Sequence, residues 1–446
     1  MSAPVPTEPS VPARVPRRQV VAWGLWDTGS SAFNAVILTF VFSVYLTDSV
    51  GKDLPGSVSA NSWLGWSLGI SGLFIALLAP IIGQRADGGR RKVSVGIWTA
   101  VTVAAMAAMV AVKSDYHYLW LGLVLLSIGS VCFELASVSY NALLRQVSTS
   151  ATIGRVSGFG WSMGYFGGIV LLLIVYVGLI AGDGGALGVS TEGGLNIRLV
   201  GLVAAVWFAA FAIPLFLSVP EPPARAREVR LGIVASYTRL FHDLRDLYRH
   251  EPHTVYFLGA SALFRDGLAA IFTFGAVLAV TVYGIDAGDV LIFGVAANVV
   301  SALGALTAGW IDDKIGPKAV VMGSLVGLLV FGTTLGLLSG PTMFWIFGLG
   351  LCLFVGPAQA SARTYLALLA PPGREAQLFG LYATTGRAVS FLAPTLVGAF
   401  TFWFGSDRAG IIGILVVLLL GLVAMWKVRP PSRDIPADTA RSATAP

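Results

Sequence analysis

The sequence predicts an all-α polytopic membrane protein, with twelve transmembrane helices in two pseudo-symmetric six-helix bundles. Three observations carry that expectation. Of 446 residues, 56% are hydrophobic and only 12% are charged, with a mean hydropathy of +0.79. Ordinary soluble domains devote roughly a quarter of their residues to charge. The apolar residues fall into twelve long, continuous runs. The second half of the chain then repeats landmarks of the first in the same order. This composition excludes a soluble enzyme, a disordered chain and a secreted disulfide scaffold. Continuous runs also exclude an outer-membrane barrel, whose strands of about ten residues alternate apolar and polar.

The runs cover about 21–47, 61–84, 93–112, 118–144, 153–181, 197–219, 253–283, 288–310, 318–338, 341–369, 375–404 and 408–427. Each holds the ~20 residues that cross a hydrocarbon core. The first follows a Pro-rich polar segment carrying Arg14, Arg17 and Arg18. It is too long for a signal-peptide core and has no small-residue cleavage site, so a retained helix is expected. An even number of spans puts both termini on one side. The tails and loops of that side hold 22 Lys and Arg, whereas the opposite loops hold four: Lys52, Lys113, Arg198 and Arg408. The asymmetry predicts cytoplasmic termini. It also accounts for the net charge of +6 and the pI of 9.4 without a nucleic-acid partner.

The longest basic-side connection divides the chain six plus six. The expected organisation is a cytoplasmic polar tail over 1–20, a bundle over 21–219, a linker over 220–252, a bundle over 253–427 and a tail over 428–446. The linker opens with Pro220, Pro222 and Pro223. Tyr237, Leu240, Phe241, Leu244, Leu247 and Tyr248 then recur at helical spacing between Arg and Asp, as in an amphipathic helix at the membrane interface. A plain tether between bundles and a regulatory helix are both open readings.

The internal repeat is specific. Gly83 and Asp87 follow the second span, and Gly309 and Asp313 follow the eighth, at the same separation. YNALL from Tyr140 matches YLALL from Tyr365. The pair Gly158 and Gly164 matches Gly380 and Gly386, and LWDTGSSAF around Asp27 matches FRDGLAAIF around Asp266. A carboxylate at a helix end can accept hydrogen bonds from the free N–H groups that start a neighbouring helix. Gly83, Asp87, Arg90 and Arg91, with Gly309, Asp313 and Lys314, are therefore candidate gating residues. They would close the cytoplasmic side and release when it opens. The plainer reading is that Arg90, Arg91 and Lys92 only anchor a loop in the cytoplasm.

Parallel repeats around a central cytoplasmic loop are how the major facilitator architecture is built. GQRADGGRRK resembles that superfamily's G-x-x-x-D-R-x-G-R-R signature with one residue missing after the Asp, and the copy from Gly309 to Lys318 keeps the standard spacing. LWDTGSSAF, SYNALLRQV, GRVSGFGWSMGYFGG, FRDGLAAIFTFG and REAQLFGLYATTGR together resemble the vacuole-effluxer, autophagy-related family within it. The resemblance covers nearly all of the chain outside the tails. It implies a secondary transporter, in a family with members associated with amino-acid efflux from storage compartments. The compact loops resemble bacterial-type members, which implies a plasma-membrane location.

Six ionised-type residues fall inside spans: Asp27, Glu134, Arg265, Asp266, Arg363 and Arg387. Each costs about 2.5–3.5 kcal/mol at mid-bilayer on insertion scales. Three acids and three bases balance, so paired side chains facing a central cavity are expected. Asp266 and Arg387 lie at similar depth near the midplane. Arg265 points ~100° away from its neighbour Asp266, so Arg387 is the expected partner of Asp266. Either a static ion pair or a substrate or proton site fits that pattern. Asn34, Tyr140, Asn141, Trp161, Tyr165 and Tyr382 cluster with these charges and suit a small polar solute. Gln359 stands where Glu134 stands in the first half. The glycine stripe Gly160, Gly164, Gly167 and Gly168 reads as close helix packing.

No nucleotide-binding loop is present. Cys132 and Cys352 lie in apolar runs, and His250 and His253 are separated by Pro252, so neither metal nor cofactor is expected. The expected function is secondary active transport of a small polar solute by a proton-coupled monomer in the lipid bilayer. A membrane-embedded enzyme acting on a lipid-linked substrate is the alternative, for which Asp243 and Asp246 are the nearest feature to a motif.

Overall fold

The structure, a computed structural model, describes residues 15–182, 184–221 and 233–430. Arg14, Pro222, Pro223 and the tail beyond Pro430 lie outside the described residues, as does most of the expected 1–20 segment. Among the described residues, twelve helices are long and apolar enough to cross a membrane. They are span 1 (Arg17–Val50), span 2 (Ala60–Ala86), span 3 (Arg91–Ala111), span 4 (Tyr116–Gln146), span 5 (Ile153–Ile180) and span 6 (Glu192–Ser218) in the first bundle. In the second they are span 7 (Pro252–Thr281), span 8 (Ile292–Ile315), span 9 (Pro317–Leu337), span 10 (Pro341–Leu369), span 11 (Glu375–Phe404) and span 12 (Asp407–Lys427). Twelve crossings leave Val15 and Pro430 on one side, called the terminal side below.

Local chemistry sets several boundaries. Gly316 at φ +93° and Gly340 at φ +92° take backbone conformations other residues avoid, and each is followed by a proline at the first position of the next helix. Two spans are irregular. Span 1 is α-helical to Ser31, then π-helical over Ala32–Phe40. Span 11 is α-helical over Glu375–Val389 and again over Leu392–Phe404, with a break at Ser390 and Phe391. Pro394 explains the break, since its ring clashes with the carbonyl four residues back, at Ser390.

Large apolar side chains remain exposed around the outside, among them Leu73, Ile213, Val330 and Val423. That surface suits lipid. Aromatic stacks fill the bundle interiors: Tyr140 lies 4.8 Å from Trp23 and 4.0 Å from Trp26, and its repeat counterpart Tyr365 lies 4.2 Å from Phe257.

The linker helix, Ile233–His250, lies across the terminal side. Leu240, Leu244 and Leu247 pack on the bundle, while Phe241 and Tyr248 of the same apolar stripe are exposed. The Tyr237 hydroxyl donates to the Leu77 carbonyl of span 2 at 2.7 Å. Asp243 accepts from Gln377 at 3.0 Å and from Arg374 at 3.5 Å, at the start of span 11.

Candidate functional site

The bundles meet through two helix crossings of the same kind, span 2 on span 11 and span 5 on span 8. The repeat glycines sit at these crossings. A methyl placed on Gly83 or Gly380 would lie 2.1 Å or 2.4 Å from the carbonyl oxygen of Ala376 or Ala79. At Gly158 and Gly309 the nearest atoms would be the carbonyls of Ala305 and Gly154, at 2.3 and 2.8 Å. No side chain fits, so only glycine permits this approach.

Each crossing is capped by a carboxylate from the opposite bundle. Asp87 accepts from the backbone N–H groups of Ala376 at 3.0 Å and Gln377 at 2.8 Å, which open span 11. Asp313 accepts from Gly154 at 2.9 Å and Arg155 at 3.4 Å, which open span 5. These N–H groups have no partner within their own helix, and the positive end of the dipole favours the carboxylate.

The two gates differ in their surroundings. Arg91 pairs with Asp87 at 2.6 Å and with Glu375 of span 11, all three side chains being buried. Arg145 adds a donor to the Ala370 carbonyl at 2.7 Å. Burial pushes the Asp87 carboxyl up to about 6, against the lowering effect of Arg91 and the two backbone donors. Asp313 has Arg155 at 2.6 Å, and that arginine is 43% exposed. Arg90 and Lys314 take no part: both are exposed, with no ion pair or side-chain hydrogen bond among the described residues. The expectation that they belong to the gates is corrected. The helix turns direct Arg91 and Asp313 inward and leave their neighbours pointing to solvent.

Deeper in, Arg363 of span 10 crosses to the first bundle. Its guanidinium donates to Asp27 at 3.1 Å, Asn141 at 3.3 Å, the Ser157 hydroxyl at 3.0 Å and the Ser157 carbonyl at 2.6 Å. It lies between the rings of Trp23 and Trp161, 4.8 and 5.5 Å from their centroids. The Trp161 ring N–H is buried without an acceptor among the described residues. Gly160 of the glycine stripe lets Asp27, Trp23 and Arg363 close over span 5.

Three further contacts join the bundles near mid-membrane, one of them from the Thr384 hydroxyl of span 11 to the Ala76 carbonyl of span 2 at 2.8 Å. Arg387 of span 11 donates to Glu134 of span 4 at 3.4 Å, with side chains 41% and 22% exposed. Tyr165 of span 5 donates to Gln359 of span 10 at 2.8 Å. Beyond this level, among the described residues, no hydrogen bond or ion pair joins the bundles. The bundles are fastened from the terminal side to a depth of a dozen residues, about 18 Å of helix, and unfastened beyond it.

The expected Asp266–Arg387 pair is overturned. Asp266 is buried and accepts from the backbone N–H of Ala393 at 2.7 Å, just past the break in span 11. Sequence gives depth in the bilayer but not azimuth, and it does not show that Pro394 frees N–H groups beside Asp266. Tyr140 stands beside Asp27, at the edge of the Arg363 cluster. It is fully buried in the first bundle, and its hydroxyl donates to the Trp23 carbonyl at 3.0 Å. Asn34 is exposed within the π-helical turn and touches none of the charges, the irregular turn having shifted its register from Asp27. Arg265 lies over the ring of Tyr382, 3.9 Å from its centroid. Ser157 was missed, since a lone serine carries no signal in sequence.

Comparisons with known proteins agree with this geometry. Residues 145–432 match the family described as vacuole effluxer Atg22 like. The uncharacterized MFS-type transporter YxiO of Bacillus subtilis is 24% identical over 414 residues, covering 92% of this chain and 94% of that protein. Autophagy-related protein 22-1 of Aspergillus fumigatus is 27% identical over 306 residues, covering 63% of this chain and 49% of that protein. The chain thus spans nearly all of its bacterial relative and about half the length of the fungal ones it matches. Among solved structures, the proton:xylose symporter XylE superposes with a TM-score of 0.74 at 14% identity, covering 94% of this chain and 97% of that one. The human organic anion transporter MFSD10 gives 0.67 at 16% identity, covering 92% and 99%. With its two six-helix bundles and the match over residues 145–432, the chain belongs to the vacuole effluxer Atg22-like family, and is a secondary transporter of the major facilitator fold and not an enzyme.

Proposed function

We propose that the chain moves a small polar solute, with amino acids as first candidates, across the plasma membrane by alternating access coupled to protons. The observation that carries this reading is the depth at which the contacts between bundles stop. Gates and clamps close the terminal side, and the last contact before the unfastened half is a long, half-exposed Glu134–Arg387 pair. Parting of that pair would release the arginine and let the bundles rock. The basic-side asymmetry assigns the terminal side to the cytoplasm, so the described state faces outward. Asp27, Asn141, Trp161, Tyr165, Gln359 and Arg363 then form the closed floor, and Glu134, Tyr382 and Arg387 face the solute. The chain works as a monomer surrounded by lipid. The family's description as a vacuole effluxer supports a transport role.

Purified protein in liposomes tests the reading. A pH gradient should drive uptake or release of at least one labelled amino acid, and collapse of the gradient with an uncoupler should abolish accumulation. Flux unaffected by the gradient would overturn the proton coupling, and absence of flux for every solute tried would overturn the cargo.

A further inference from the structure

Five of the six ionised-type residues inside the spans are answered in the structure. Arg363 has Asp27, Arg387 has Glu134, and the Asp266 carboxylate has the Ala393 N–H. Arg265 has no carboxylate partner among the described residues. One N–H donates to the Tyr382 carbonyl at 3.0 Å, and the guanidinium lies over the same residue's ring. A guanidinium has five N–H donors, so most of its hydrogen-bonding edge is unused. Arg265 is partly buried. Its level is marked by Gly386, where an added methyl would lie 3.0 Å from the guanidinium, and the next residue is Arg387. Arg265, Arg387 and Glu134 stand at the floor of the unfastened half, while the second carboxylate of this level, Asp266, is turned to the Ala393 N–H.

The wall above is apolar. Phe272 follows Arg265 by seven residues, which places it on the same face of span 7 and about 10 Å farther from the terminal side. Phe272, Gly275 and Ala276 line a cavity that continues among spans 8, 9, 10 and 12, with Phe40 of span 1 at its edge. Asn298 is one of few polar groups in its lining.

We propose that Arg265 is the receptor for a carboxylate on the transported solute, and that the solute's apolar body extends along Phe272 toward this cavity. The proposal rests on the alternating-access reading and names the solute class: small organic carboxylates with an apolar body, with or without an amino group. The planar fork of arginine matches a carboxylate with two parallel hydrogen bonds. Tyr382 holds the fork in place by stacking, and Gly386 leaves room for the approach.

The test uses the purified full chain in detergent and follows its thermal midpoint. Hexanoate, phenylacetate and leucine are compared with hexanamide, phenylacetamide and leucinamide. At least one acid should raise the midpoint while its amide, the same shape without the charge, does not. Arg265→Gln should weaken binding of that acid by tenfold or more, and Arg265→Lys should retain part of it. Stabilisation by acid and amide alike, by inorganic phosphate alone, or by no acid at all would overturn the proposal, and these outcomes need no variant. Equal acid affinity in a folded Arg265→Gln protein would overturn the role of that residue. An acid that binds but is not carried in liposomes would leave the carboxylate site standing and remove the transport reading instead.

Discussion

Glu134–Arg387 and Tyr165–Gln359 are one crossing made twice. Glu134 and Gln359 are repeat counterparts, and so are Tyr165 and Arg387, each the residue after the second glycine of its pair. The first version is ionic, 3.4 Å long and half exposed. The second is neutral, 2.8 Å long and better covered. A neutral pair costs little to bury and its strength does not depend on protonation. An ionic pair changes sharply when its carboxylate is protonated, and water around it lowers the cost of parting. The two repeats thus carry one neutral joint and one ionic joint.

The largest expected effect comes from removing the ionic joint. Glu134→Gln should reduce gradient-driven accumulation by more than ~10-fold while leaving exchange of solute in the absence of a gradient. Liposome uptake with and without an imposed pH gradient checks it, and accumulation at the wild-type level would erase the distinction between the two pairs.

The gates offer the same contrast at the membrane surface. Asp87→Ala leaves Arg91 buried with Glu375 alone and strips the cap from span 11, and should cost about 3–5 kcal/mol. Asp313→Ala strips the cap from span 5 but leaves Arg155 to water, and should cost about 1 kcal/mol. Thermal denaturation of the two purified variants ranks them.

A pH effect follows from the buried gate. In the closed form the Asp87 carboxyl is raised to about 6, from an ordinary value of 3.8 that it regains when the gate opens to water. The closed form therefore holds the proton more tightly. Falling pH favours closure, with the effect developing between about pH 6 and pH 4 and amounting to as much as ~100-fold in the closed-to-open ratio. Spin-label distances between spans 2 and 11 at the terminal side would follow it, and Asp87→Asn should flatten the response. A shift toward the open form on acidification would contradict the assignment.

The smallest effect belongs to the neutral pair. Tyr165→Phe removes one hydrogen bond and should lower stability by about 1 kcal/mol, with solute flux little changed. A transport loss comparable to that of Glu134→Gln would show that both joints switch.

Much of this was legible from residues alone. Asp87 and Asp313 declared themselves by a repeated spacing from glycine, and the correspondence of Glu134 with Gln359 followed from the same repeat. Extending the glycine match by one residue pairs Tyr165 with Arg387. What sequence did not show is direction around a helix axis. Asp266 and Arg387 share a depth, yet Asp266 faces the break in span 11 and Arg387 faces span 4. The partner helix of each gate carboxylate was equally hidden, because a cap made across a bundle interface leaves no local pattern.

The break at Ser390 and Phe391 has a mechanical consequence. Span 11 is two rods hinged at mid-membrane. The lower rod is bolted to span 2 by Asp87 and the glycine crossing, and the upper rod is tied to span 7 by Asp266. A stiff helix would lever its far end inward whenever its near end swung out. A hinged one lets the upper rod keep its seat on span 7 while the lower rod changes neighbours, so the binding floor can be dismantled without dragging the outer wall along with it.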